Sequence, residues 1–233
     1  MIKLVHESIK THICFCDNWV NLLIVEHPSF FYNCVQDLQI QINGGEGQFV
    51  FSQGDKIVKA NNFCDIITDA FNIEYNNRKI ATALYKLATQ NIKEGQLWEK
   101  WFLNNNMLLE FLAEVEQSTN LPLEYEDNIE LTTLFKAYNL RIKEDQPSFI
   151  ERLITYTNIL AELRNIKILC LVNIKSVLCL EMLQELYKHC AYKKINLILL
   201  ESHYHPPALE NEKVIIIDKD LCEITINYPQ NVL

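Results

Sequence analysis

The spacing of apolar positions changes twice along the chain, from short runs to a helical repeat and back to short runs. In the first stretch, "MIKLVH" and "HICF" predict short strands. "NLLIVEH" predicts a stronger one, because an unbroken apolar run suits a strand buried on both faces. Pro28 opens "PSFFYNCVQDL", a helix with proline in its first turn. "GQFVFSQGDKIVK" returns to strand character after the glycines at 44, 45 and 47.

From about Asn61 the period becomes helical. Ile80, Ala83, Leu84, Leu87 and Ala88 share one face. A second helix runs from about Trp98 to Gln117, with Trp101, Phe102, Leu108, Leu109, Leu112 and Val115 as its apolar stripe. A third starts near Asp127 or Asn128, either of which suits an N-cap, and carries Leu131, Leu134, Phe135 and Tyr138. A fourth begins at Ser148, another good cap, and buries Phe149, Ile150, Leu153, Ile154 and Leu160. The last third alternates: strand "IKILCLVN", helix "LEMLQELYKHCAYKK", strand "INLILLES", strand "KVIIIDK". Strand, helix and strand in that order predict parallel pairing through a right-handed crossover. The expected fold class is therefore α/β, a domain with a largely parallel sheet built from residues 1–59 and 148–233. An α-helical excursion over residues 60–147 is inserted into it.

Composition narrows this picture. Half the 233 residues are apolar, enough for a real core, and five glycines with six prolines favour long elements over turn-rich architecture. No apolar run approaches the ~20 residues that span a bilayer, so no membrane partner is expected. "MIKLVHESIK" carries charges within its apolar stretch and does not read as a signal peptide. Eight cysteines occur without a CxxC pair, and several sit among apolar neighbours, as core thiols do. A cytoplasmic, reducing location is the expectation.

In an α/β domain the first chemistry to test is a nucleotide site. The strand-to-helix turn reads "VEHPSF", without the glycines or the Lys-Ser/Thr pair that cradle phosphate and magnesium. "NGGEGQFVF" leads into a strand and offers no helix N-terminus. His203 and His205 in "ESHYHPP", with Glu201 close by, have zinc-like chemistry, but no second cluster supplies further ligands. No G-x-S-x-G motif appears, and no cysteine has a recognisable histidine partner.

Charge is more informative. Of the net −9, residues 101–151 carry −7, so the acidity is local. Basic residues cluster outside that segment: Lys56 and Lys59, then Arg78, Lys79, Lys86 and Lys93. The recurrence at Lys79, Lys86 and Lys93 every seventh residue lines one helix face, which serves equally a solvated surface or a phosphate-binding stripe. The acidic segment groups Glu110, Glu114 and Glu116 near one helix end with Glu124, Glu126, Asp127 and Glu130 before the next. That many hard oxygens suit calcium, although the EF-hand pattern is absent; the same residues also suit a helix N-terminus.

These pieces stand in a known order. "NLLIVEHPSFFYNCVQDL", "IITDAFNIEYNN", "LEYEDNIELTTLFKAYNLRIKED", "SFIERLITYTNILAELRNIKILCLVN", "LILLES" and "IIIDKDLCEI" together resemble the ring-forming Csn-type spacer-acquisition proteins of type II-A CRISPR–Cas loci. The resemblance covers nearly the whole chain. It implies an α/β head, shaped like a P-loop NTPase but without the phosphate loop, and an inserted α-helical leg. It further implies a non-enzymatic homotetrameric ring, assembled with Ca2+, that holds double-stranded DNA, preferentially at ends. Such rings support spacer acquisition beside the CRISPR integrase complex and the effector nuclease. By the same resemblance "LEYED" assigns calcium to Glu124, Glu126 and Asp127, with Glu116 and Glu130 as weaker partners. DNA contacts fall to Lys56, Lys59, Arg78, Lys79, Lys86 and Lys93.

A compact chain of this length has a radius of gyration of about 17 Å. A single globule of that size cannot encircle a duplex, so enclosure without base reading requires a closed oligomer. Two other readings remain: an NTPase-like protein–protein module that does not touch DNA, and a zinc enzyme built on His203 and His205.

Overall fold

The apolar run Val20–Val25 lies inside a six-stranded sheet with every residue buried, which is why it lacks the alternation of a half-exposed strand. The computed structural model describes residues 1–16, 18–119, 121–144 and 148–226. Its elements are β1 (Ile2–His6), β2 (Ile9–Phe15), β3 (Val20–Val25), α1 (Pro28–Ile42), β4 (Phe49–Gln53), β5 (Lys56–Ile57) and β6 (Cys64–Ile67). Three helices follow: α2 (Arg78–Glu94), α3 (Leu97–Thr119) and α4 (Leu131–Ala137). The chain continues through α5 (Phe149–Arg164), β7 (Ile168–Val172), α6 (Leu180–Tyr192), β8 (Asn196–Glu201), β9 (Glu212–Ile217) and β10 (Glu223–Ile226). Two compact units result: residues 1–73 with 146–233, and residues 74–145.

In the first unit the six-stranded sheet has the order β10-β9-β3-β8-β7-β6, parallel except where β10 pairs with β9. A smaller antiparallel sheet, β2-β1-β4-β5, is separate from it. Between the two lies one core: Leu4, Ile13 and Phe51 from the small sheet, Leu38 and Ile42 from α1, and Leu23, Val25, Cys170, Ile198 and Ile215 from the large one. The opposite face is covered by α6, which packs on β8, and α5 packs on α6. The Glu223 carboxylate accepts the backbone amides of Lys10 (2.6 Å) and Thr11 (3.0 Å), tying β10 to the edge strand β2.

Local signals explain most helix ends. Glu151 reaches back to the Ser148 amide (2.8 Å) and hydroxyl (2.7 Å), as a capping box requires at the start of α5. At the end of α1, the amides of Gly44 and Gly45 donate to the carbonyls of Gln41 (3.0 Å) and Ile40 (2.9 Å). Gly44, at φ +95, takes the left-handed position that this closure needs.

Three expectations are corrected. The helical period assigned from residue 60 begins later, because residues 64–67 form β6 and pair in parallel with β7. Asp65 hides that strand in the sequence: its carboxylate is buried against the Arg164 guanidinium and the Tyr156 hydroxyl (3.1 Å). The third helix starts at Leu131 with Glu130 at its N-cap, four residues past Asp127, so neither Asp127 nor Asn128 caps it. The stripe read on α3 is only partly inward: Trp101, Leu109, Leu112 and Val115 are half-buried, while Phe102 and Leu108 are exposed. The expected domain boundary at residue 147 lies outside the described residues.

Truncating the central strand should be costly. Leu23→Ala is expected to lower stability by about 2–5 kcal/mol in urea unfolding. Leu103→Ala on exposed α3 should change monomer stability by less than about 0.5 kcal/mol.

Candidate nucleic-acid interface

Asn77 fixes the start of α2, accepting the amides of Lys79 and Ile80 at 3.1 Å each. Asn76 holds the preceding turn through paired bonds with the Ile142 backbone (2.8 and 3.0 Å). Ile80 is buried and Ala81, Leu84, Ala88 and Ile92 half-buried, so the opposite side faces water. Arg78, Lys79, Lys86 and Lys93 are all exposed there, and Lys79, Lys86 and Lys93 recur at roughly 10 Å, the rise of seven helical residues. Lys56 and Lys59 are exposed in the other unit, on β5 and just beyond it. A stripe of this kind suits phosphate neutralisation without base reading, as it also suits an ordinary solvated face.

The acidic residues occupy α3 and the extended segment after it. Glu124, Glu126, Asp127 and Glu130 are exposed. Half-buried Glu116 accepts the Leu123 amide at 3.4 Å, and the Asp127 carbonyl accepts from Asn105 at 3.2 Å, which lays the segment back along α3. Glu130 accepts from the Thr132 hydroxyl at 3.1 Å. Among the described residues, no three histidine, cysteine or carboxylate side chains converge as a metal site. The donors are of the hard type that calcium takes, but one chain does not gather the six to eight oxygens it needs.

α3 itself exposes many apolar side chains among its polar ones. Leu103, Met107 and Phe111 form a ridge at four-residue spacing, 60–66% exposed, and Leu97, Trp98, Phe102 and Leu108 are exposed elsewhere on the helix. Exposed apolar surface of that extent marks a place of association.

The place where a phosphate loop would stand is filled by the chain. After β3, the Glu26 amide donates to the Ile217 carbonyl (2.8 Å), and His27 Nδ1 accepts the Phe30 amide (3.3 Å) as the N-cap of α1. The four buried cysteines are poor nucleophiles: burial pushes Cys34 and Cys190 up to about 12, and Cys64 and Cys170 higher than usual as well.

One buried charged group was not legible in the sequence. Lys175, just after β7, spans both oxygens of Glu212 (2.9 and 2.8 Å), and Glu212 also accepts the Tyr187 hydroxyl (2.7 Å) and the Leu209 amide (2.9 Å). Glu201, ending β8, accepts the Lys175 amide at 3.1 Å. The only hint was a carboxylate at one end of each apolar run, closing β8 and opening β9. His205 lies 3.9 Å from Glu201, while His203 bonds the Ser202 hydroxyl at 3.0 Å, so the two histidines do not share a site.

Family comparison decides the identity. The family model described as CRISPR-associated protein (Cas_Csn2) matches residues 41–221. The chain belongs to this family. No curated protein matches it. Among solved structures, the Csn2-family chain is similar to a nucleotide-free ATP-binding cassette from an ABC transporter, at 10% identity and TM-score 0.46, covering 95% of this chain and 90% of that one. It is also similar to an ATP-binding cassette in its ADP conformation, at 11% identity and TM-score 0.46, covering 94% and 87%. Among the described residues, no helix is long and apolar enough to cross a membrane.

Removing the ammonium between the two buried carboxylates should be severe. Lys175→Met is expected to cost about 3–5 kcal/mol, read by thermal or urea unfolding, because it strands buried charge.

Proposed function

We propose that this Csn2-family chain is a non-enzymatic scaffold that holds double-stranded DNA without reading its sequence. It acts as a closed homotetramer in the cytoplasm and supports spacer acquisition beside the integrase complex and the effector nuclease. Family membership carries the CRISPR role. The exposed stripe of Arg78, Lys79, Lys86 and Lys93 supports the DNA contact, with Lys56 and Lys59 as further phosphate ligands. Preference for duplex ends rests on the family resemblance.

The apolar surface of α3 supports assembly. Exposed aromatic and aliphatic side chains in that number need a cover, and a symmetric oligomer supplies one from the same sequence. Calcium enters through Glu124, Glu126 and Asp127, with Glu116 and Glu130, each copy contributing part of the oxygen set. A second reading, a protein–protein module without DNA contact, draws on the same apolar helix and on the net charge of −9.

Gel-shift and anisotropy measurements on linear duplex separate the two. Binding should be independent of sequence and fall steeply with salt; Lys86→Ala should weaken it uniformly and reduce the log–log salt slope by about 1. No shift with calcium or with chelator would leave only the protein–protein reading.

Assembly is tested by solution mass. A tetramer in calcium should dissociate on chelation, and Glu124→Gln with Glu126→Gln should remove the calcium response while the fold persists. Met107→Glu should dissociate the oligomer in either condition. A chain that stays monomeric throughout would sink the ring.

A further inference from the structure

Glu201 is a buried carboxylate whose neighbouring ammonium, Lys175, is bound by another carboxylate. Its side chain is 0% exposed at the end of β8, beside Ile24 of β3. One oxygen accepts the Lys175 amide; the other has no hydrogen-bond partner among the described residues. The charges around it do not close. Lys175 on the segment after β7 is engaged by Glu212 of β9 through both of its oxygens. Tyr187 of α6 donates to Glu212 and stays protonated, since burial and that carboxylate push it up. The Cys170 thiol of β7 is likewise pushed up by burial and by Glu201, and β3 offers no titratable side chain. Two carboxylates therefore share one buried ammonium. The remaining candidate to face the unused oxygen is His205, half-exposed, with Nε2 at 3.9 Å.

We propose that Glu201, facing His205, is a one-proton latch that holds the segment between β8 and β9, residues 202–211, against the sheet. While the proton is present the buried excess charge is cancelled and the segment stays closed. When it leaves, the segment opens to let water reach Glu201. The segment is anchored at both ends of this network: Ser202 donates to Asn173 at 2.8 Å, and the Leu209 amide donates to Glu212. Ala208, Leu209, Glu210 and Asn211 also wall a cavity of about 980 Å³ with Trp19 and Tyr187, so opening would reshape that cleft.

Burial raises the Glu201 carboxyl from its ordinary 4.5 to about 7. A carboxyl raised in the closed state favours closure fully below the open-state value and loses that advantage as pH climbs to the closed-state value. The window is thus between those two values, with opening increasing about tenfold per pH unit and levelling above neutrality.

Amide hydrogen exchange followed by NMR on the full chain tests this, with rates corrected for intrinsic pH dependence. Protection of Lys175, Ser202 and Leu209 should fall about tenfold per unit between pH 5 and 7 and then level off. Glu201→Gln should make it flat. His205→Gln, at an exposed position, should move the levelling to higher pH by removing the group that pairs with ionised Glu201. Flat protection in the unmodified chain would overturn the latch, as would an unchanged profile in Glu201→Gln. Equal loss across the core amides of β3 and β8 would also overturn it, showing global rather than segmental opening. An unchanged profile in His205→Gln would remove His205 from it.

Discussion

The pairing of β3 on both sides constrains everything else. Residues 20–25 find their parallel neighbours in β8 and β9, near the other end of the sequence, and no nearer strand takes either place. Parallel partners need long crossovers, and this one is long enough to contain a second unit. The first unit can close only after the last third of the chain is made. Residues 74–145 must form their own helical packing in the meantime, around Ile80, Leu131 and Phe135. That is a small set of buried side chains for three helices, and it leaves α3 with apolar residues that have nothing within the chain to cover them.

Much of this was legible. The unbroken run at β3, the capping residue Ser148, and the strand–helix–strand order of the last third each carry their physical cause in the sequence. The misses also have causes. β6 contains Asp65, whose polarity breaks an apolar run and is explained only by Arg164 and Tyr156, far along the chain. The small antiparallel sheet was read as isolated strands because hairpin pairing between β1, β2 and β4 depends on register, which no local pattern fixes. The stripe on α3 was real as a pattern, but periodicity says which residues align and not what lies opposite them. Glu201 and Glu212 looked like ordinary strand-end carboxylates because burial at a strand end is a tertiary property.

The distribution of charge and apolar surface makes one consistent requirement. The acidic and apolar residues coincide on α3 and the segment after it, while the basic residues line α2 beside them. Packing apolar ridges together brings their acidic neighbours into proximity, which costs energy unless a cation or solvent intervenes. A divalent ion at such a junction is the cheapest remedy, because one ion offsets several carboxylates. In the proposed ring, assembly through α3 and a call on calcium would answer one electrostatic problem.

The turn after β3 shows how a sheet of this kind can be separated from nucleotide chemistry. A phosphate at a helix N-terminus supplies negative charge to free amides. Here His27 supplies the acceptor, proline removes one amide outright, and the Glu26 amide is spent on β9. The absence of glycine also keeps the backbone from approaching a phosphate closely. The free energy that a bound phosphate would contribute on each cycle is replaced by a permanent cap.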